Sequence, residues 1–295
     1  DSFGLRPRLG SMAVNIVCIE RVIVAVRALT ESRENWRRAG FGVAPDEFQH
    51  SGMRIARLAA GAVEIDLCEL DAHRNVGFPA EPLREALENG GGIIGGIIGW
   101  TWGVKNVPAS EAHDSNPAVS NQSIVLPGLS EPTTIAEALE SGLPGVVTAA
   151  VKTNLDIESR RLMLRELCGP NTNSVDYLEH IVVMTPVLEN AISANEAVGV
   201  PCKRIREVGN GARQAFFKLE QTVLEVVGPA RGKPGCWGLA LMCTDIASAV
   251  ATSRAGGLQA TEPKLAIQGG QIARIVEPLD GVAIAFMQAG PRRDD

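Results

Sequence analysis

Residues 19–70 of this chain lie over residues 178–229 without a gap, in the register that sets Arg21 over His180. A self-similarity of that length constrains the fold more than any other feature of the sequence. Glu20 meets Glu179, Val24 meets Val183, Leu29 meets Leu188, Gly40 meets Gly199, Gly52 meets Gly211, Arg54 meets Arg213 and Asp66 meets Glu225. Scattered identities arise by chance, but an apolar pattern and its turn glycines do not readily keep one register over such a span. Each copy reads as a β-rich run (Val22–Val26; Ile181–Val183) followed by a helix closed at Gly40 or Gly199. Three short strands follow, around Val43 or Cys202, then Met53–Leu58 or Arg213–Leu219, then Val63–Leu67 or Val223–Val227. The unit is βαβββ.

A further copy closes the chain. GLALMCTDIASAVATSRAGG gives a strand, Asp245 as N-cap and a helix ending at Gly256–Gly257, and IARIVEP and GVAIAFMQ supply strands around the turn Pro278–Gly281. The remaining copy is the faintest. GIIGWTWGVKNVPASEA (Gly96–Ala112) is like the start of the last copy, with Asn106 in the place of Asp245. Its later strands are sought in SIVLPG and GVVTAAVKT, around an insertion-like Leu129–Gly145. Asp156–Asn173 is charged and poor in β-formers and reads as a link between halves. The expected division is therefore a paired-βαβββ half at 13–165, with a divergent second module, and another at 166–295. Residues 1–12 lack periodicity and stand outside the fold argument, with Met12 read as a natural start.

Composition narrows the function classes. An apolar fraction of 45% with 21% charged residues is that of a globular chain, and a formal charge of −6 argues against a nucleic-acid surface. Six cysteines without a C-x-x-C pair, and no secretory signal, imply reduced thiols in the cytoplasm. The longest apolar stretch, Gly91–Val104, is too short and glycine-rich to span a membrane. The run ENGGGIIGGIIGW lacks the Lys-Ser/Thr of a phosphate loop, and no serine or cysteine shows a local hydrolase signature.

Paired βαβββ units of this kind resemble the vicinal oxygen chelate superfamily, glyoxalase-like proteins in particular. LEHIVV at 178–183 is similar to its first-strand motif and VLEVVGP at 223–229 to its closing strand. The resemblance implies an α+β fold in which four βαβββ modules form two half-open eight-stranded barrels. It also implies that a histidine and a carboxylate face one cavity, where they bind a divalent metal that polarises a substrate oxygen. His180 and Glu225 match those positions and become the candidate metal ligands and catalytic pair. In the first module the same positions are Arg21 and Asp66, a pairing that excludes a metal and reads more simply as a structural ion pair than as an anion clamp. Gly99, Gly238 and Ala285 fall where further ligands would stand. The C-terminal half therefore lacks a complete ligand set, which Gln268, water or substrate would have to supply.

Other readings of these residues stay open. A strand histidine such as His180 can equally be a buried residue satisfied by a neighbouring carboxylate. Arg54 and Arg213 occupy equivalent strand positions that ordinarily point to solvent; Arg213, with Gln268, is carried as a substrate contact. His50, His73 and His113 lack ligand spacing and read as surface residues. The expected function is a glyoxalase-like lyase or isomerase acting on a small oxygenated molecule in the C-terminal barrel, metal-assisted or using Glu225 as general base. The competing function is metal-free sequestration of a small molecule, and an extradiol ring-cleaving dioxygenase is the least expected. A small-molecule substrate is the expected partner, a homodimer is allowed for, and neither nucleic acid nor membrane is expected.

Overall fold

The computed structural model describes residues 16–50, 53–70, 96–105, 123–124, 133–139, 143, 146–232, 234–267 and 269–290. Sixteen strands among them form two eight-stranded sheets with the same plan. The first sheet holds β1 (Ile16–Ala25), β2 (Phe48–His50), β3 (Met53–Ala60), β4 (Val63–Leu70), β5 (Gly96–Val104), β6 (Ser123–Ile124), β7 (Thr133–Leu139) and β8 (Val147–Lys152), in the order β2-β3-β4-β1-β5-β8-β7-β6. The second holds β9 (Val175–Met184), β10 (Arg204–Gly209), β11 (Ala212–Leu219), β12 (Thr222–Gly228), β13 (Gly235–Cys243), β14 (Lys264–Leu265), β15 (Gln271–Arg274) and β16 (Ala283–Gln288), in the order β10-β11-β12-β9-β13-β16-β15-β14. In each sheet the central pair, β1–β5 or β9–β13, is antiparallel and marks the seam between two modules. On either side of the seam a parallel pair closes each module.

A parallel pair needs a crossover, which the helices supply. Helices α1 (Leu29–Arg38), α3 (Leu188–Ala197) and α4 (Ile246–Ala255) each follow the first strand of a module. Asp245 caps α4 as its sequence predicts, its Oδ1 accepting from the amides of Ala247 (3.0 Å) and Ser248 (3.2 Å). Gly40 and Gly199 leave α1 and α3 with φ of +87° and +86°, the left-handed exit that glycine permits. The fold is thus α+β, two half-barrels of paired modules, three of which show the βαβββ order; the helix position of the second module, at 106–122, lies outside the described residues.

Two expectations are corrected. The stretch read as an insertion contains β7. The stretch read as a link does run from the first sheet to the second, and it holds α2 (Ile157–Cys168). That helix is capped by Asp156, whose Oδ1 accepts from the Ser159 amide at 2.9 Å. Val43, expected in a strand, makes only an isolated bridge to Leu58. Among the described residues no helix is long and apolar enough to cross a membrane.

One continuous apolar core runs through both sheets, joining Val22, Val24, Trp36, Trp100 and Trp102 to Ile181, Val183, Phe217, Leu241 and Phe286. Trp100 and Trp102 pack edge to face at 5.4 Å on the helix side, as strand alternation requires. Polar contacts then lock the halves. Asp280, in the tight turn before β16, accepts from Ser32 Oγ (2.7 Å) and Trp36 Nε1 (2.9 Å) of α1. Asn173 donates to the Ala39 carbonyl at 2.8 Å, and Arg38 to that of Gly256 at 2.6 Å. A Cβ on Gly256 would lie 2.0 Å from the Arg38 oxygen, so α1 and α4 meet this closely only through glycine.

Candidate functional site

Strand register tells which residues of the four modules are equivalent. Glu225 lies opposite Val182, two residues beyond His180; Asp66 lies opposite Ile23, two beyond Arg21; Ala149 lies opposite Thr101, two beyond Gly99; Ala285 lies opposite Ala240, two beyond Gly238. The four pairs are Arg21/Asp66, Gly99/Ala149, His180/Glu225 and Gly238/Ala285; all but Ala149 are positions that the sequence assigns.

The N-terminal sheet fills its concave side with charge. Asp66 bonds Arg21 (3.0 Å) and Arg57 (2.8 Å), Glu64 lies 3.2 Å from Arg57 and also pairs with Arg21, and all four are buried. Burial alone would push the Asp66 carboxyl up, but the Arg57 and Arg21 guanidiniums outweigh it and hold it below the usual carboxylate range. Ile23, Met53, Ile55, Cys68 and Ile98 pack as a small apolar cluster of their own. Helix α2 rests on β3 and β4, where Leu164 and Cys168 pack on Ala44 and Ala59 and Arg160 reaches Glu20 at 3.3 Å. Arg21 and Asp66 therefore form the expected ion pair, inside a larger network.

The C-terminal sheet is different. His180 Nδ1 and Glu225 Oε2 come within 3.9 Å, so the two candidate residues do share a face. Glu225 Oε1 accepts from Gln214 Nε2 at 2.5 Å, and the Gln214 carbonyl accepts from Arg206 at 2.6 Å, which fixes both the amide and the carboxylate. Phe216 walls the pair, its ring 6.4 Å from the imidazole, with the Arg204 guanidinium stacked over that ring at 4.7 Å from its centroid. Burial pushes the Glu225 carboxyl above its ordinary range, against the opposing charges of His180, Arg206 and Arg204.

Two partners were not singled out by the sequence. Gln214 is one. The other is Glu179, whose Oε2 lies 2.9 Å from His180 Nδ1 yet has no aligned hydrogen-bond partner among the described residues. The identity of Glu20 with Glu179 in the repeat was the available signal; the bulge that turns Glu179 beside its neighbour, where the β9–β13 register shifts, was not visible. Arg213, expected as a substrate contact, alternates with Gln214 and pairs with Glu189 at the start of α3, on the helix side of the sheet. It does not join the His180–Glu225 group. Gln268 lies outside the described residues.

Beside the pair, on the fourth-module side, is a cavity of about 650 Å³. Val182, Gly238, Ala240 and Ala285 line its floor, and Ala240 is the cross-strand neighbour of His180. The expected divalent cation does not fit the donors in place. Among the described residues no group of three or more His, Cys, Asp and Glu is placed to hold a metal. At the position equivalent to His180, a Cβ on Gly238 would sit 2.2 Å from the Ala283 carbonyl oxygen, so no side chain of any kind can enter there without moving β16. Ala285 brings no donor either.

No protein-family model matches the sequence and no curated relative is detected. Solved structures do match. A variant of 4-hydroxymandelate synthase from Streptomyces coelicolor superposes with a TM-score of 0.58 at 14% identity, over 95% of this chain and 94% of that one. A xylose isomerase-like TIM barrel/4-hydroxyphenylpyruvate dioxygenase fusion protein gives 0.58 at 13%, over 96% of this chain and 51% of that one. This chain has the vicinal oxygen chelate fold. Methylmalonyl-CoA epimerase from Mycobacterium tuberculosis also matches, at 21% identity and a TM-score of 0.34, over 40% of this chain and 91% of that one. The two matches at a TM-score of 0.58 fix the architecture, while chemistry has to be read from the site itself.

The raised Glu225 carboxyl carries a stability consequence. A carboxylate whose folded proton affinity exceeds its unfolded one favours the fold below the ordinary carboxylate range and loses that contribution as pH rises through its folded value. Glu225→Gln should therefore raise the melting temperature at neutral pH, and the gain should vanish in acid. Thermal melts of both proteins from pH 4 to pH 8 check it.

Proposed function

We propose that the C-terminal half-barrel is an acid–base site for a small oxygenated organic molecule, of the glyoxalase-like isomerase or lyase type, working without a resident metal. The observation that carries this reading is the convergence of Glu225 and His180 at 3.9 Å on the concave face, with the carboxyl raised by burial. Gln214 occupies Oε1 and leaves Oε2 for the proton. In this reading Glu225 takes a proton from the carbon next to a substrate carbonyl. His180 donates a hydrogen bond to the oxygen on which negative charge then develops, and the neighbouring Glu179 orients the imidazole. The proton returned to the same or the adjacent carbon completes an isomerisation. The N-terminal half, its concave face filled with ion pairs, serves as scaffold. We place the protein in the cytoplasm on its six unpaired cysteines.

Sequestration without chemistry is the second reading, favoured by the closed Gly238 position and by Ala285. Proton exchange separates the two. Incubated in D2O with a panel of 2-oxo and 2-hydroxy carboxylates, the wild type should exchange the C–H next to the carbonyl, and Glu225→Gln should lose about 10²–10⁴-fold of that rate. Tight binding of a panel member with no exchange by the wild type would replace the enzyme reading with sequestration.

A further inference from the structure

The cavity beside the catalytic pair has a chemical character of its own. Its floor is apolar, from Val182, Ala240 and Ala285. Its open edge carries two cations, Lys264 on β14 and Arg274 on β15, and no carboxylate is among the described residues that line it. Register puts both cations on the cavity side. Lys264 lies opposite Ile272, Ile272 and Arg274 share a face by alternation, and Arg274 lies opposite Ala285. Neither cation has a carboxylate partner among the described residues. Of the other strand arginines, Arg21, Arg54, Arg57 and Arg213 face acids, while Arg204 stacks on Phe216 and Arg206 binds the Gln214 amide; Arg274 has no such side-chain partner among the described residues. Two unneutralised cations on one wall of an apolar hollow, in a chain of net charge −6, are a local arrangement and not a general basic surface. Trp237 stands at the same cavity, 57% exposed, on the residue where the β9–β13 register shifts.

The geometry points to a binding subsite for an amphipathic anion: a carboxylate or phosphate-ester head held between Lys264 and Arg274, with an apolar body lying on the Ala240–Ala285 floor toward His180. Arg274 supplies the planar fork that grips such oxygens in pairs, and Lys264 a mobile point charge. The floor is built of small side chains, so an alkyl chain or a ring can lie flat on it. This assignment deepens the acid–base reading and rests on it only for which end of the ligand reacts; binding itself does not require Glu225.

Trp237 is the natural reporter, since Trp36, Trp100 and Trp102 are fully buried. Octanoate, hexyl phosphate and the uncharged octanamide, titrated separately while tryptophan fluorescence is followed, form the test, with calorimetry as a second readout. Octanoate or hexyl phosphate should bind, the tighter of the two identifying the head group, and octanamide about tenfold or more weaker. Lys264→Gln and Arg274→Gln should each weaken anion binding about tenfold and leave octanamide unchanged. Both cations are exposed, so neither variant threatens folding, and Trp237→Phe should abolish the fluorescence signal while calorimetric binding persists. Octanamide binding as tightly as the anions, or anion binding unaltered when Lys264→Gln and Arg274→Gln are combined, or neither anion binding at millimolar concentration, overturns the assignment. Glu225→Gln should still bind the anion. If it does, and the wild type exchanges no proton, the acid–base reading falls and the anion subsite stands.

Discussion

Asp66→Ala is expected to destabilise the protein by about 3–5 kcal/mol, because it strands buried Arg57 and Arg21 with only Glu64 to neutralise them. The cost comes less from a lost attraction than from leaving cations out of water without a full partner set. The pH dependence follows from the lowered Asp66 carboxyl. Its contribution is complete above the ordinary carboxylate range and is lost as pH falls through the lowered folded value. Urea unfolding of wild type and variant should therefore differ most near neutrality and converge in strong acid. A combined Arg57→Met, Asp66→Leu variant, which removes one charge of each sign, should recover much of the loss. If Asp66→Ala unfolds at the wild-type urea concentration, the network is not the buried charge cluster described here.

Trp36→Ala should cost at least as much, about 3–5 kcal/mol from the vacated core volume alone. The indole is fully buried, packs edge to face on Phe41 at 5.1 Å, and donates to Asp280 across the two halves. Without it Asp280, whose carboxyl burial already pushes up, keeps only the Ser32 donor. Trp36→Phe separates the two contributions: it restores most of the volume but not the N–H, and should retain roughly 1–2 kcal/mol of the loss. Chemical denaturation of the three proteins reads both differences.

The repeat made the architecture legible because alternation and turn glycines survive where identity does not. Arg21 over His180 and Asp66 over Glu225 mark equivalent strand positions in the first and third modules, and the register of the sheets reproduces them. What failed had local physical causes. Helix α2 buries only Arg160, Leu164 and Cys168, too few apolar positions to mark a helix against its charged surroundings. β7 lies in the module with the weakest likeness to the others. Arg213 lies away from the His180–Glu225 pair because an arginine in a half-buried strand points either way, and the Gln214–Glu225 contact shows which face is inside. Glu179 depends on a bulge, which a one-dimensional pattern does not display.

The apolar core that passes from one sheet into the other also sets the order in which the protein can mature. While the first half leaves the ribosome, the surface it will later press against the second has no cover, so the nascent chain carries a sticky flank until β9 and the strands after it arrive. Unfolding in reverse should then be a single concerted event, and a chain cut near Asn173 should yield two fragments that precipitate alone yet reassemble when mixed.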